Sequence, residues 1–328
     1  MLLWLILYAA IGAMGTVLAR RYALQRNLLD HPGDRRSHHV PTPRGGGVAI
    51  VSALLIAAVA LAVRDPAQRV LLAGFGIGLT LVAGVGMVDD HRPLSPWLRL
   101  MVHALAGLVF AGAIQLALGD LWLALFAVVL VLVLTNVWNF MDGINGLAAS
   151  QALLLGLALA LFLDGSWRLL AAALAAACAG FLPFNFPAAR IFLGDVGSGA
   201  IGFSIAAMIV VCAAMDAAAS TWFLLPLSVF LLDAGITLSR RFVNGERWWT
   251  PHTRHAYQVW ARRAGHTKVT LAYAGCTAVG VMVTAFFGTV SMPLILWVCV
   301  GWYIAGALAW RGLQRMEPRI ESEKKDIG

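Results

Sequence analysis

LWLALFAVVLVLVLTNVWNFMDGING, Leu121–Gly146, holds the pattern that decides the fold. From Leu121 to Thr135 it contains no charged side chain. Such a run belongs in hydrocarbon, where a helix satisfies its backbone groups internally. Asn136, Asn139, Asp142 and Asn145 then recur at intervals of three. On a helix that interval sets them along one face. Lipid does not tolerate a polar stripe, so the stripe should line a cavity. A cap at Asn145-Gly146 would explain one of these residues, not four.

The apolar half of this pattern recurs along the chain. Of 328 residues, 60% are apolar and 12% charged, against about 25% charged in an average soluble protein. That excludes a disordered chain and leaves too few polar residues to cover a water-soluble domain. A spanning helix needs roughly 20 apolar residues. Eleven candidate runs occur: Leu2–Leu18, Gly46–Val63, Val70–Val88, Leu100–Leu118, Leu121–Thr135, Gly146–Leu163, Leu169–Phe184, Gly199–Met215, Thr221–Leu238, Val269–Gly288 and Pro293–Trp310. The fifth and seventh are short. The expected fold is an all-α integral membrane protein of about 11 transmembrane helices. Arg20 and Arg21 follow the first run and no basic residue precedes it, the reverse of a cleaved signal peptide. The first run therefore reads as an uncleaved span. Cys178, Cys212, Cys276 and Cys299 all lie in apolar runs without a C-x-x-C pair, and read as small core residues, not disulfides or zinc ligands.

Basic residues orient the spans. With the N-terminus outside, the outer segments keep only Arg64, Arg69 and Arg168 of the 24 Lys and Arg. The remainder fall inside, a strong positive-inside signal that places the N-terminus in the periplasm and the C-terminus in the cytoplasm. The formal charge of +8 thus reads largely as topology, and nucleic acid is not an expected partner. Residues 1–315 form one polytopic domain, with cytoplasmic loops at about 19–45, 89–99, 136–146, 185–199 and 239–268, followed by a charged tail at 316–328. The outer loops are too short for a folded domain, and Asp65, Asp120, Asp164 and Asp216 in or near them read as solvated loop residues.

The inner loops carry the chemistry. Asp89 and Asp90 end the third run, and adjacent carboxylates repel unless a cation sits beside them. Asp195 follows a glycine in Phe192-Leu-Gly-Asp-Val-Gly-Ser198, a turn whose amides favour an anion and whose carboxylate is a hard ligand suited to Mg²⁺. An N-cap would explain Asp195 alone, but three carboxylate sites share one face. Asp233 is the one acid placed inside a run, and should face the bundle and pair with a base. A structural pair and a site-supporting role stay equally open. His252, Arg254 and His255 lie in the most basic inner loop. Lipid attraction and zinc are alternatives there, but no third zinc ligand is well spaced, and a phosphate contact fits better. Carboxylates, glycine-rich anion turns and basic clusters together indicate a phosphorylated substrate and a lipid partner.

Five motifs in this order carry a resemblance: Arg36-Ser-His-His-Val-Pro-Thr-Pro-Arg-Gly-Gly-Gly47, Asp89-Asp90, Asn139-Phe-Met-Asp142, Phe192-Leu-Gly-Asp-Val-Gly-Ser198 and His252-Thr-Arg-His255. The set, over roughly residues 28–265, closely resembles the polyprenyl-phosphate N-acetylhexosamine-1-phosphate transferases (glycosyltransferase family 4). The resemblance implies that a polyprenyl phosphate, undecaprenyl phosphate in bacteria, attacks the β-phosphorus of a UDP-N-acetylhexosamine and that UMP leaves, at the cytoplasmic face of the inner membrane. It implies Mg²⁺, with Mn²⁺ as the substitute, and Asp195 as its ligand, with Asp89 and Asp90 as metal ligands, base or positioning groups. A second phosphate pKa near ~6 leaves the acceptor dianion abundant, so a base is not obligatory and a single in-line displacement is favoured over a phosphoryl-aspartate. By the same resemblance Phe192 stacks on uracil, Asn139 and Asp142 position the nucleotide, and His252 and His255 contact the diphosphate. His38, His39 and Arg44 are secondary phosphate contacts, and Asn136, Asn145, Asn185 and Arg254 join the substrate-binding set. A homodimer is left open.

Two departures matter. Asn145 stands where the peptidoglycan enzyme has a second Asp, and that enzyme's denser histidine motif is absent, so a muramoyl-pentapeptide substrate is not expected. Phe140-Met-Asp-Gly-Ile-Asn145 and the closing Ala256-Tyr-Gln258 look more like the O-antigen-initiating branch, which implies UDP-N-acetylglucosamine or a 6-deoxy relative such as the fucosamine or quinovosamine derivative. The rival classes are a transporter of a phosphorylated compound and a non-catalytic lipid-binding scaffold. Against the transporter, the Asp and His clusters lie at one face and no inverted repeat is evident.

Overall fold

A computed structural model describes residues 1–31, 40–247, 249–250, 252–287 and 292–315. Its helices are α1 (Leu2–Gln25), α2 (Val48–Arg64), α3 (Arg69–His91), α4 (Pro96–Leu118), α5 (Leu121–Met141), α6 (Leu147–Phe162), α7 (Gly165–Asn185), α8 (Asp195–Met215), α9 (Ala217–Thr221), α10 (Leu224–Val243), α11 (Ala256–Ala264), α12 (His266–Phe287) and α13 (Met292–Gln314). The protein is an all-α integral membrane protein. Among the described residues nine helical segments are long and apolar enough to cross a bilayer, and α2 and α6 are shorter apolar helices. Together they match the eleven runs. The short spans, however, are the second and sixth, not the fifth and seventh. α5 and α7 each run 21 residues. Polar residues at their C-terminal ends remain helical, because these ends are packed in protein.

The helix ends follow local chemistry. Asp120 accepts the Leu123 N–H at 2.9 Å and starts α5, and Asp216 accepts the Ala218 and Ala219 N–H groups at the start of α9. Asp65 accepts from Ser166 and Asp164 pairs with Arg168. These four acids, expected as solvated loop residues, thus each bind a neighbour. Gly119 ends α4 in the left-handed region at φ 69°, which a residue with a Cβ adopts at a cost.

α8 is the central element. It is apolar on all sides, and 94% of its most apolar stretch is buried, as such a helix must be. Small residues let backbones approach it. A Cβ on Gly202 would lie 2.3 Å from the Leu134 carbonyl of α5, and one on Gly86 of α3 would lie 2.4 Å from the Asp195 carbonyl. α3, α5 and α8 therefore pack closely near the ends that carry acids. Cys178, Cys212 and Cys299 are buried as expected, whereas Cys276 is exposed. A two-stranded antiparallel ribbon, β1 (Leu29–Asp30) and β2 (Thr42–Pro43), adds the only sheet among the described residues. Its second strand continues into the glycine turn, where Gly46 and Gly47 donate to the Phe192 and Leu193 carbonyls at 2.9 and 2.8 Å. His38, His39 and the tail at 316–328 lie outside the described residues.

Candidate active site

The two adjacent aspartates have different partners. Asp90, 4% exposed, accepts the N–H groups of Asp195 and Val196, both at 3.1 Å. It clamps the first turn of α8, where unpaired amides and the helix dipole favour a carboxylate. Gly194, at φ 78°, admits this approach: a Cβ there would sit 2.6 Å from Asp90 Oδ2. Asp89 instead accepts the Leu94 N–H and pairs with Arg99 Nη1 at 2.8 Å. The same Arg99 atom lies 3.4 Å from Asp195 Oδ2. Arg99 thus stands between two carboxylates, the place where a cation is required.

Asp195 is held from the other side by α5. Asn139 donates to Asp195 Oδ1 at 2.7 Å and to Ser198 at 3.3 Å. The Asp195 side chain keeps 31% of its surface exposed, so it stays reachable. The expected single helical stripe is corrected here. α5 ends at Met141, so Asn136 and Asn139 share a helix whereas Asp142 and Asn145 occupy the following turn. Asn136 bonds back to the Leu132 carbonyl at 2.7 Å. Asn145 donates to the Pro187 carbonyl at 3.0 Å, and its carbonyl accepts from Thr270 of α12. Asn185, buried, accepts the Gly146 N–H at 2.8 Å and donates to the Ile191 carbonyl at 3.0 Å. Asn145 and Asn185 thereby fasten the turn to its neighbours and do not reach Asp195. Asp142 remains within the field of Asp195 and Asp90, and burial together with those charges pushes its carboxyl well above the usual range.

The histidine loop docks on the end of α5. Tyr257 donates to the Phe140 carbonyl at 3.0 Å, and its hydroxyl stands 2.1 Å from where a Cβ on Gly143 would lie. No side chain larger than hydrogen fits there. The first amides of α11, from Ala256 and Tyr257, are accepted by Asp233 of α10 at 2.7 and 2.9 Å. This repeats the arrangement of Asp90 and α8. The basic partner expected for Asp233 is His255, at 3.6 Å. His252 and His255 lie with ring centroids 4.8 Å apart. Burial, then the neighbouring His255, Arg241 and Arg254, hold His252 down at about 4, so its ring is neutral at pH 7. Glu246 pairs with both Arg241 and Arg254, and Arg241 also donates to the Thr250 carbonyl at 3.0 Å. Those bonds shape the loop.

Arg44 is half-buried, lies within electrostatic reach of Asp90, and has a buried Nε without a hydrogen-bond partner. Phe192 is half-buried, with its N–H on the Pro43 carbonyl at 2.8 Å. The motifs of α3, α5 and the turn before α8 therefore meet at Asp195, and the α11 loop joins them through Phe140 and Gly143 at the end of α5.

A family model described as Glycosyl transferase family 4 matches residues 72–213, the segment containing Asp89, Asp90, Asn139, Asp142 and Asp195. The chain is 30% identical to the decaprenyl-phosphate N-acetylglucosaminephosphotransferase of Mycobacterium leprae, over 86% of this chain and 82% of that protein. The chain belongs to glycosyl transferase family 4. Two further relatives show the range of this family. The undecaprenyl-phosphate alpha-N-acetylglucosaminyl 1-phosphate transferase of Thermotoga maritima is 29% identical over 76% of this chain and 78% of its own length. The phospho-N-acetylmuramoyl-pentapeptide-transferase of Moorella thermoacetica is 37% identical over 52% and 62%.

Within this family 4 member, Arg99 read from the sequence serves only topology, and Ser198, Tyr257 and Glu246 carry no role of their own there. Arg99 lies ten positions beyond Asp89, in the first turn of the next span. A base just inside a membrane helix was a usable signal for a site partner. No group of three His, Cys, Asp or Glu side chains is gathered as a ready metal cluster among the described residues. A site for Mg²⁺ does not need one, since that ion commonly takes one or two carboxylates and completes its shell with water and phosphate. Asp195 and Asp89, which share a cation in Arg99, suit that chemistry. Asp90 carries one amide on each oxygen and serves the backbone of α8 first.

Proposed function

We propose that the protein transfers N-acetylhexosamine 1-phosphate from a UDP-N-acetylhexosamine to undecaprenyl phosphate, releasing UMP, at the cytoplasmic face of the bacterial inner membrane. The donor is UDP-N-acetylglucosamine or a 6-deoxy relative such as the fucosamine or quinovosamine derivative, and the product starts an O-antigen-type surface polysaccharide. The observation that carries this reading is the convergence on Asp195: Asn139 at 2.7 Å, Arg99 at 3.4 Å and the Asp90 clamp on its backbone.

A lipid phosphate oxygen attacks the sugar-bearing phosphorus, and the bond from that phosphorus to the UMP oxygen breaks. Two anions must approach, so the site's task is to offset charge and align the reactants. Mg²⁺, or Mn²⁺, held by Asp195 and Asp89, would neutralise phosphate charge when bound. Asn139 and the Asp90 clamp keep Asp195 aimed. Arg99 and Arg44 would each offer a guanidinium to a phosphate oxygen. Asp142 and Phe192 hold the nucleotide, and the α11 loop brings His252 and His255 to the diphosphate.

The test is a membrane assay with undecaprenyl phosphate, Mg²⁺ and a panel of UDP-sugars. UMP release with a butanol-soluble labelled lipid supports the reading. UDP release, full activity in Asp195→Asn, or activity that survives chelation overturns it. Vesicle uptake without UMP would instead identify a transporter.

A further inference from the structure

Asp233 and His255 face each other beneath the histidine loop. Asp233 is 1% exposed and His255 3%. Besides the two α11 amides, Asp233 accepts the Tyr273 hydroxyl of α12 at 2.9 Å and the Trp310 indole of α13 at 3.2 Å. It therefore cannot move without disturbing four helices. His255 stacks on Phe140 at 6.2 Å and on Tyr257 at 5.8 Å, with interplanar angles of 25° and 24°. Its ring plane is set by both. The Nδ1 atom is buried, has no hydrogen-bond partner outside its own capping turn, and lies 3.6 Å from Asp233 Oδ1.

A buried ring nitrogen needs a strong partner, and this one has two candidates. The Gln258 N–H closes a capping box on the His255 side chain, but it also donates to the His255 carbonyl at 3.0 Å and so is shared. Accepting from it would also aim the Nδ1 lone pair at a carboxylate. A bond from Nδ1–H to Asp233 is charge-assisted and stronger, and a small shift of the ring makes it. Catalytic hydrogen bonds are commonly long in ligand-free sites and tighten with substrate.

We propose that Asp233 and His255 form a carboxylate–imidazole pair, closed by substrate, which fixes Nδ1–H toward Asp233 and presents Nε2–H to a phosphate oxygen of the nucleotide-sugar. Asp233 is a positioning residue that acts through His255. The proposal rests on the phosphosugar-transfer reading above. No proton changes hands in the step: Nε2–H donates a hydrogen bond while charge grows on the phosphate. The titratable groups around the ring are Asp233 from α10, His252 in the loop with Arg241 and Arg254 beside it, Tyr257 from α11, Asp142 acting on Tyr257, and Tyr273 from α12 on Asp233. Phe140 from α5 is apolar.

The experiment uses the full chain in nanodiscs with undecaprenyl phosphate, Mg²⁺ and the UDP-N-acetylhexosamine that turns over. Asp233→Asn should lower kcat by about 100-fold with little change in KM for the lipid phosphate. Its pH–rate profile should differ from that of the parent. Asp233→Glu should restore part of both. Tyr273→Phe removes another bond to the same carboxylate and should leave the profile unmoved. Adding Asp233→Asn to His255→Gln should lower kcat by less than Asp233→Asn does in the parent chain, the remainder being the lost clamp on α11. An unchanged profile in Asp233→Asn, or full additivity with His255→Gln, overturns the proposal. A second arm is independent of turnover and of the Asp233 variants: ¹⁵N NMR of the parent protein labelled at histidine. A protonated Nδ1 at neutral pH supports the pair, and a bare Nδ1 from pH 5 to 9, with or without UDP-N-acetylglucosamine, overturns it. Absence of turnover with every UDP-sugar would instead count against the reaction reading, leaving the NMR result to decide the pair.

Discussion

Asp90 of α3 accepts the backbone N–H of Asp195 at 3.1 Å, so the carboxylate of one motif fixes the main chain of another. Its neighbour Asp89 meets Arg99 instead. The two acids are therefore separable by experiment. Asp90→Asn opposes an amide NH₂ to a buried N–H and should lower stability by about 1–3 kcal/mol, with loss of turnover. Asp89→Asn weakens a partly exposed ion pair and should cost about 1 kcal/mol or less while also abolishing turnover. Thermal unfolding in detergent, run beside the UMP assay, separates the two. Equal melting shifts would refute the clamp.

Arg99 holds Asp89 and Asp195 together. In Arg99→Ala those carboxylates repel unless a metal takes the vacant place. Mg²⁺ should then raise the melting temperature of Arg99→Ala more than that of the parent. The absence of any Mg²⁺ effect on either would argue against a cation at this point.

Asp142 is pushed well above the usual carboxylate range by burial first, then by Asp195 and Asp90. The unfolded chain ionises at lower pH than the folded one, so this group's stabilising contribution is lost as pH rises from about 4. A neutral isostere escapes that loss. Asp142→Asn should melt higher than the parent at pH 7.5, by a margin that shrinks toward pH 4, and should lose turnover. A lower melting point at pH 7.5 would contradict the sign.

Gly143 leaves room for the Tyr257 hydroxyl, which would stand 2.1 Å from an added Cβ. Tyr257 is 1% exposed and bonded to Phe140, so it has nowhere to turn. Gly143→Ala should undock α11 and reduce turnover by at least tenfold. Tyr257→Phe in the same chain removes the clashing oxygen and should recover part of it. Gly112, with nothing within 4 Å of an added Cβ, is the control, and Gly112→Ala should be neutral.

His252 is held down at about 4, while an unperturbed histidine titrates near ~6.5. Between those values the unfolded loop binds more protons, so loop stability falls as pH drops through that window and is unaffected above it. Amide exchange in residues 244–257, corrected for intrinsic rates, should quicken at pH 5 relative to pH 7.5. His252→Gln should flatten that difference.

Much of this was legible in the chain before folding. The run at Leu121–Thr135 marked a span because an unbroken apolar segment belongs in lipid, and the acids at the ends of such runs marked the candidate site. The resemblance named residues that do converge, Asn139 and Asp195 among them. What misled was periodicity carried past a helix end. Asn136, Asn139, Asp142 and Asn145 keep a helical interval in the sequence, but the chain turns after Met141 and sends Asn145 to Pro187 and Thr270. Arg99 was hidden for the opposite reason. Its charge already had an explanation in topology, and nothing local joins it to an acid 96 positions away.

The order of apolar runs, the basic bias of the inner loops and the acid-bearing motifs were determined by the sequence itself, because each depends on composition over one segment. The division of labour among the acids was decided only by tertiary structure. Asp89 and Asp90 are chemically identical neighbours, yet one faces a guanidinium and the other a helix start. Successive residues on a helix point about 100° apart, and only the packing of α3 against α4 and α8 determines what each direction meets.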